Sequence, residues 1–404
     1  MESLTVDKTK PKEQTMNAST KMKSLSVLST TTVLGLLFLA QVSVAYAQQV
    51  ATGRPKTITT ISSTIPSNGD LNPYGVFRIP RTVGNLRRGN ILVSNFNNSA
   101  NLQGTGTTLV QIAPDGTFSQ FAQIEPATLP GPCPGGVGLT TALVVLRSGW
   151  VIVGSLPTTD GTSGTAQAGC LLVLDSNGNV AETITDNQIN GPWDMAVSEK
   201  GSDGDHNDQL GEGDDGNDAT LFVTNVLNGT VAGGGKIVNE GTVVRIGLTV
   251  SAGSPPSVKS LTVIGSEFSE RTDPAALVIG PTGVALGKNK KTLYVADSLN
   301  NRITAIADPL TRHSSDHTGS TLSSGGSLND PLGLTLAVNG NILTTNGNDG
   351  YLVKTTAKGV QKSKTLLDNT GNPPGAGTLF GLVDVPGKGV YFVDDGSNTL
   401  NLFH

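Results

Sequence analysis

The chain has 404 residues, a formal net charge of −5, and only 15% charged residues. It carries 51 Gly and is 36% hydrophobic, which excludes a disordered polar chain and argues against a helix-rich protein; many short strands joined by tight turns fit that balance. No long run of Lys and Arg marks a nucleic-acid or anionic-membrane surface.

The first predicted element is a signal segment. Residues 27–46, VLSTTTVLGLLFLAQVSVAY, are apolar and uncharged, follow Lys21 and Lys23, and end at the small-x-small motif Ala45-Tyr46-Ala47. That pattern predicts a secretory signal over residues 1–47, with Met16 or Met22 as alternative starts and an uncleaved membrane anchor as the competing reading. The mature part, 48–404, is then secreted or periplasmic. It holds two cysteines, Cys133 and Cys170, which in an exported chain suggest one disulfide, the alternative being two buried thiols.

From residue 72 onward a phrase repeats. A short apolar strand is followed by a polar turn, a second β-branched strand and a turn rich in Asn or Asp. The copies are NPYGVFRIP at 72–80 with NILVSN at 90–95; LTTALVVL at 139–146 with WVIVGS at 150–155; GPWDMAV at 191–197 with LFVTN at 221–225; GPTGVAL at 280–286 with TLYVAD at 292–297; DPLGLTLAV at 330–338 with NILTTN at 341–346; and LFGLVDV at 379–385 with VYFVDD at 390–395. Matched first-strand positions are Gly75, Thr141, Asp194, Gly283, Gly333 and Gly381. Matched second-strand ends are Asn95, Ser155, Asn225, Asp297, Asn346 and Asp395. Six such units, each of three or four antiparallel strands, predict an all-β six-bladed propeller, because one small sheet cannot bury both faces alone. The last unit ends at His404 after a third strand. The segment Lys56–Ser62 has no other partner and is expected to complete blade six and close the ring.

GPTGVALGKNKKTLYVADSLNNRITAI in blade four resembles an NHL repeat, and looser copies extend the resemblance over roughly residues 56–404. The resemblance implies a propeller of a kind that includes ligand-binding modules, lyases and lactonase-like enzymes. It also implies that Asp297 and its counterparts hold the following turn.

In such a ring one face gathers the loops 96–107, 156–169, 226–241, 298–301, 347–349 and 396–398, rich in Asn, Ser, Thr and Gly. They suit a polar small molecule, a glycan or a protein partner, or else serve their own turns. Asn95, Asn225 and Asn346 are candidate ligand groups. So are the aromatics Tyr74, Trp193 and Phe380, which precede the matched position and are expected to form an aromatic rim. Asp194 stands where four other units have Gly, and is the candidate catalytic base or, with Asn225, metal ligand. Lactonase-like propellers hold a divalent cation through a Glu near the first blade, which NPYGVFRIP lacks. The acidic stretch 201–218 places Asp203 and Asp205 at the alternate spacing of a calcium loop, but without the Gly and Glu such a loop uses. His313 and His317 read as loop residues. These features predict an exported, monomeric binding or scaffold propeller without a certain cofactor. The alternative is a metal-assisted hydrolase or lyase with its site in the channel, Ca²⁺ being the candidate ion.

Overall fold

A computed structural model describes residues 56–200, 219–274 and 276–404. The signal segment and the acidic stretch with Asp203 and Asp205 lie outside the described residues. Residues 54–404 form one compact unit.

That unit is a ring of six antiparallel sheets. The short closing strand β1 (Ile58–Ser63) comes first in the chain. Blade one is β2 (Leu71–Arg78), β3 (Ile91–Asn97), β4 (Thr108–Ile112) and β5 (Phe118–Gln123). Blade two is β6 (Leu139–Val145), β7 (Val151–Ser155), β8 (Cys170–Leu174) and β9 (Val180–Ile184). Blade three is β10 (Pro192–Glu199), β11 (Ala219–Asn225), β12 (Val238–Thr249), β13 (Ser257–Asp273) and β14 (Leu277–Ile279). Blade four is β15 (Pro281–Leu286), β16 (Thr292–Asp297), β17 (Arg302–Ala307) and β18 (Ser320–Ser324). Blade five is β19 (Pro331–Leu336), β20 (Ile342–Asn346), β21 (Tyr351–Thr355) and β22 (Gln361–Leu366). Blade six is β23 (Leu379–Val385), β24 (Gly389–Asp394) and β25 (Thr399–Phe403), completed by β1. The closing pairs run from Ile58 opposite Phe403 to Ser63 opposite Thr399. Blade three departs from the expected three or four strands: its 17-residue β13 continues past the sheet and β14 folds back on it, with Arg271 opposite Ile279.

Each first strand carries an irregularity at the matched position, for example between Pro73 and Val76 and between Pro281 and Val284. The reason is close approach between blades. A Cβ at Gly75 would lie 2.9 Å from Thr141 O, and one at Gly283, Gly333 or Gly381 would collide with the next blade's Leu332, Phe380 or Tyr74 carbonyl. Glycine lets these backbones meet. A second device joins alternate blade pairs. The hydroxyls of Ser94, Thr224 and Thr345 accept the N–H of Gly75, Asp194 and Gly333 at 2.9–3.0 Å. Each then donates to the neighbouring blade's carbonyl, at Thr140, Thr282 or Phe380. Buried hydroxyls suit this work because one oxygen both accepts and donates.

Aliphatic clusters fill the spaces between sheets, such as Leu92, Leu143, Val153 and Leu172 between blades one and two. Cys133 and Cys170 are joined by a disulfide that ties the blade one–two connection to β8. The bond fits an oxidising, extracytoplasmic compartment. Among the described residues no helix is long and apolar enough to cross a membrane.

Candidate functional site at the channel mouth

The residues just before the matched positions are Tyr74, Thr140, Trp193, Thr282, Leu332 and Phe380, and all six are buried. The aromatics do not form an open rim. Tyr74 stacks on Phe380 at 3.9 Å and on Phe96 at 4.5 Å between ring centroids, and Trp193 lies 6.5 Å from both Tyr74 and Phe380. Leu277, Val278 and Ile279 of β14 pack into the same cluster. Beside them only a void of about 10 Å³ is left, bounded by Tyr74, Phe96, Trp193 and Leu277. The reason is the extension of β13. It carries an apolar turn across the mouth, where Gln103 Nε2 holds Pro274 O at 2.9 Å. Leu277 adopts φ +63°, a left-handed conformation costly for a bulky residue and held here by burial on every side.

Asp194 faces its ring neighbour. Its Oδ1 accepts the N–H of Met195 at 2.8 Å and its Oδ2 that of Val284, in blade four, at 3.0 Å. Burial pushes this carboxyl up to about 7, offset in part by those two N–H groups. At the position where four other blades have Gly, the side chain instead bonds across to β15 and joins blade three to blade four. Substituting Asp194→Asn leaves one N–H facing the new NH₂ group. We expect a stability loss of about 1–3 kcal/mol in urea denaturation, and an unchanged midpoint would show that the two bonds contribute nothing.

Among the second-strand ends, Asp297 pairs with Arg302 Nε at 2.6 Å and accepts from Asn300, holding its turn. Asn346 is bonded to Ser327 O, Asp349 and Asn329 N in the same way. Asn95 donates to Thr64 O at 3.0 Å, while its Oδ1, like that of Asn225, is buried without a partner. His313 and His317 sit in a surface connection, and His317 pairs with Glu267.

Sequence reasoning, which named Tyr74 and Asp395, missed two polar residues at the first-strand entries of blades one and five. Three positions before the matched residue, blades two to four have Gly138, Gly191 and Gly280, whereas blades one and five have Asn72 and Asp330. Both adopt positive φ, +61° and +55°, immediately before a proline. Asn and Asp are the side chains that tolerate this left-handed conformation best after Gly. Asp330 is only 8% exposed and its Oδ1 has no partner. Burial, then the charge of Asp273, raise it to about 6, against the pull of Arg271. Arg271 itself pairs with Asp273 at 3.0 Å. On the other side, the Asn72 amide, turned with Nδ2 toward Asp395, donates to that carboxylate at 3.1 and 3.3 Å. Burial and the neighbouring charge of Asp394 push Asp395 up to about 7. Near Asp395 the Tyr74 hydroxyl is buried and lacks a hydrogen bond of ordinary geometry. It is raised by desolvation and by the charges of Asp395 and Asp273. The one sequence signal was the exchange of Gly for Asn or Asp before Pro in two of the repeats.

The ring of Tyr, Thr, Trp, Thr, Leu and Phe in the channel does not supply the oxygen set a hard divalent cation needs. Among the described residues no group of three or more His, Cys, Asp or Glu could hold a metal ion. Asp194 and Asn225 bring one carboxylate and one amide, with the carboxylate already engaged by two N–H groups.

Neither a protein-family model nor a curated protein matches the chain. Solved structures do. A gluconolactonase of Xanthomonas campestris is similar with a TM-score of 0.52 at 13% identity, over 86% of this chain and 89% of that one. The calcium-binding protein regucalcin of Agrobacterium tumefaciens gives 0.50 at 10% identity, over 85% and 95%. A virginiamycin B lyase of Staphylococcus aureus overlays with 0.46 at 11% identity, over 86% and 99%. At such identities the likeness establishes the six-bladed propeller fold and leaves the site to be argued from its own residues.

Proposed function

We propose that this chain is an exported, NHL-type propeller enzyme of the hydrolase or lyase kind, acting on a small lactone- or ester-like substrate at the mouth of its channel. The observation that carries this is Asp395, a largely buried acid raised to about 7 and met by the Asn72 amide, with the Tyr74 hydroxyl close enough to feel its charge and without a hydrogen bond of ordinary geometry. Buried acids tuned to the working pH, beside polar atoms with nothing to bond, are the usual signature of acid–base chemistry. The fold similarity to a gluconolactonase supports the same class. In hydrolysis, Asp395 takes a proton from water as its oxygen bonds to the carbonyl carbon. The acid then returns the proton to the alkoxide as the ring C–O bond breaks. Asn72 positions that carboxyl. No channel metal enters this scheme, because the residues there do not fit one.

The test is turnover of a panel of γ- and δ-lactones and aryl esters by the mature chain and by Asp395→Asn. We expect a fall of about 100-fold or more in kcat for the variant. Absence of turnover across the panel overturns the enzyme reading. A second reading, binding without turnover, is favoured by the apolar turn over the channel, which confines any ligand to the polar surface above it. Saturable binding of a glycan in calorimetry with no product formed would support that reading.

A further inference from the structure

We infer that the end of the channel opposite the mouth is a ligand-binding site of its own, built to take a small carboxylate with an apolar body, such as an arylalkanoate. This goes beyond the enzyme reading and does not depend on it. A cavity of about 300 Å³ opens there, among the ends of the first strands of blades three to six. Trp193 and Phe380, near the start of β10 and β23, lie at the mouth, whereas Val197 and Asp384, further along the same strands, line this cavity. Val197, Leu286, Leu336 and Pro386 form its apolar wall, and each is only half-buried. The mouth, by contrast, keeps a void of about 10 Å³ under its apolar turn. The larger cavity is at the lower end of the sizes that hold small molecules, which suits a single-ring ligand.

The rim is polar, and its charges do not balance. Lys288 and Lys290 come from the turn after β15, and Asp384 from the end of β23. The Val338 peptide bridges the two sides: its carbonyl accepts from Lys288 Nζ, and its N–H donates to Asp384 Oδ2 at 2.8 Å. That linkage holds the Lys288 ammonium at the edge of the cavity and leaves it two of its three N–H donors. The Asp384 carboxylate, in turn, is already met by a donor. Two ammonium groups against one carboxylate leave a net positive charge beside an apolar wall, which selects an anion over a cation. A carboxylate accepts from lysine through charge-assisted hydrogen bonds, while its apolar body covers Val197, Leu286 and Leu336. Inorganic phosphate would meet the charge and leave that wall uncovered. A neutral hydrocarbon would cover the wall and leave the ammonium donors to water.

The experiment is calorimetry on the mature chain at neutral pH and low salt, where exposed charges are least screened, with 3-phenylpropionate and its neutral counterpart 3-phenylpropanol. We expect the carboxylate to bind at least about tenfold tighter, and Lys288→Met to remove most of that preference. Asp384→Asn should strengthen carboxylate binding severalfold, because it removes the opposing charge and keeps an oxygen for the Val338 N–H. Damage to the fold would weaken binding instead. Asp395→Asn, at the mouth, should change neither affinity. Equal affinity for the two probes, no saturable binding of either, or a preference that Lys288→Met leaves intact overturns the inference. So does binding lost in Asp395→Asn, which would put the ligand at the mouth, or binding that appears only after deletion of residues 203–216, which join β10 to β11 at this end. Lactone turnover that depends on Asp395 and is untouched by Lys288→Met leaves the enzyme reading standing whichever way the calorimetry falls.

Discussion

Deletion of residues 48–66 will lower the melting temperature by about 10 °C or more and make the protein prone to self-association. The segment includes β1, the fourth strand of blade six, paired with β25 from Ile58 opposite Phe403 to Ser63 opposite Thr399. Side chains add to the ladder. Thr60 donates to Asn401 Oδ1 at 2.9 Å, and the Thr64 carbonyl accepts from the buried Asn95 amide of blade one. Ile61 packs against the central apolar cluster. Loss of the segment would leave β25 with a free edge, a template for pairing with another chain, and would leave the Asn95 amide with Thr108 Oγ1 as its remaining acceptor. A cost of roughly 7 kcal/mol or more corresponds to that shift for a domain of this size. Differential scanning calorimetry decides the matter. A melting temperature unchanged by the deletion would show that the ring does not depend on this strand.

Stability should also fall as pH rises from about 5 to 8, the reverse of the behaviour of a protein held by carboxylate ion pairs. Asp194, Asp395 and Glu270 are raised to about 7, 7 and 8, and Asp330 to about 6, in each case chiefly by burial. In the unfolded chain the same groups titrate near pH 4. The folded state therefore binds more protons than the unfolded one between these limits. Its advantage is complete below the unfolded value, shrinks as pH climbs, and is lost above the folded values. Asp194 alone should account for about 2 kcal/mol over this interval. Asp395, which is less enclosed, contributes less than its shift implies. Melting curves at pH 5.5 and 8 test the sign. A higher melting temperature at pH 8 would mean that these carboxyls find counter-charges in solution that the structure does not show. Asp194→Asn should flatten the slope by its own share.

The repeat was legible because each blade writes its own strands and turns locally. Apolar first and second strands recur in every copy, a Gly where backbones meet in four, and Asn or Asp at the end of the second strand in five, so one reading frame finds all six. The closing role of Lys56–Ser62 followed from counting strands, and in the structure Ile58–Ser63 does pair with Thr399–Phe403. The resemblance of blade four to an NHL repeat pointed to the turn-holding role of Asp297, whose partners Asn300 and Arg302 lie within five residues.

The mouth of the channel was decided by contacts between blades, which no local pattern records. Asp194 was conspicuous by its place in the repeat, but its carboxylate is met by Val284, 90 residues on, because ring closure brings β10 beside β15. Tyr74, Trp193 and Phe380 were found by position, yet they are buried because the extended β13 of blade three lays Leu277–Ile279 over them. The same geometry brings Asn72 and Asp395 from two blades to one tyrosine. Sequence thus determined the blades, whose strands and turns are set by neighbours a few residues apart. Tertiary structure determined the site, whose charges and hydrogen bonds depend on side chains that only the closed ring brings together.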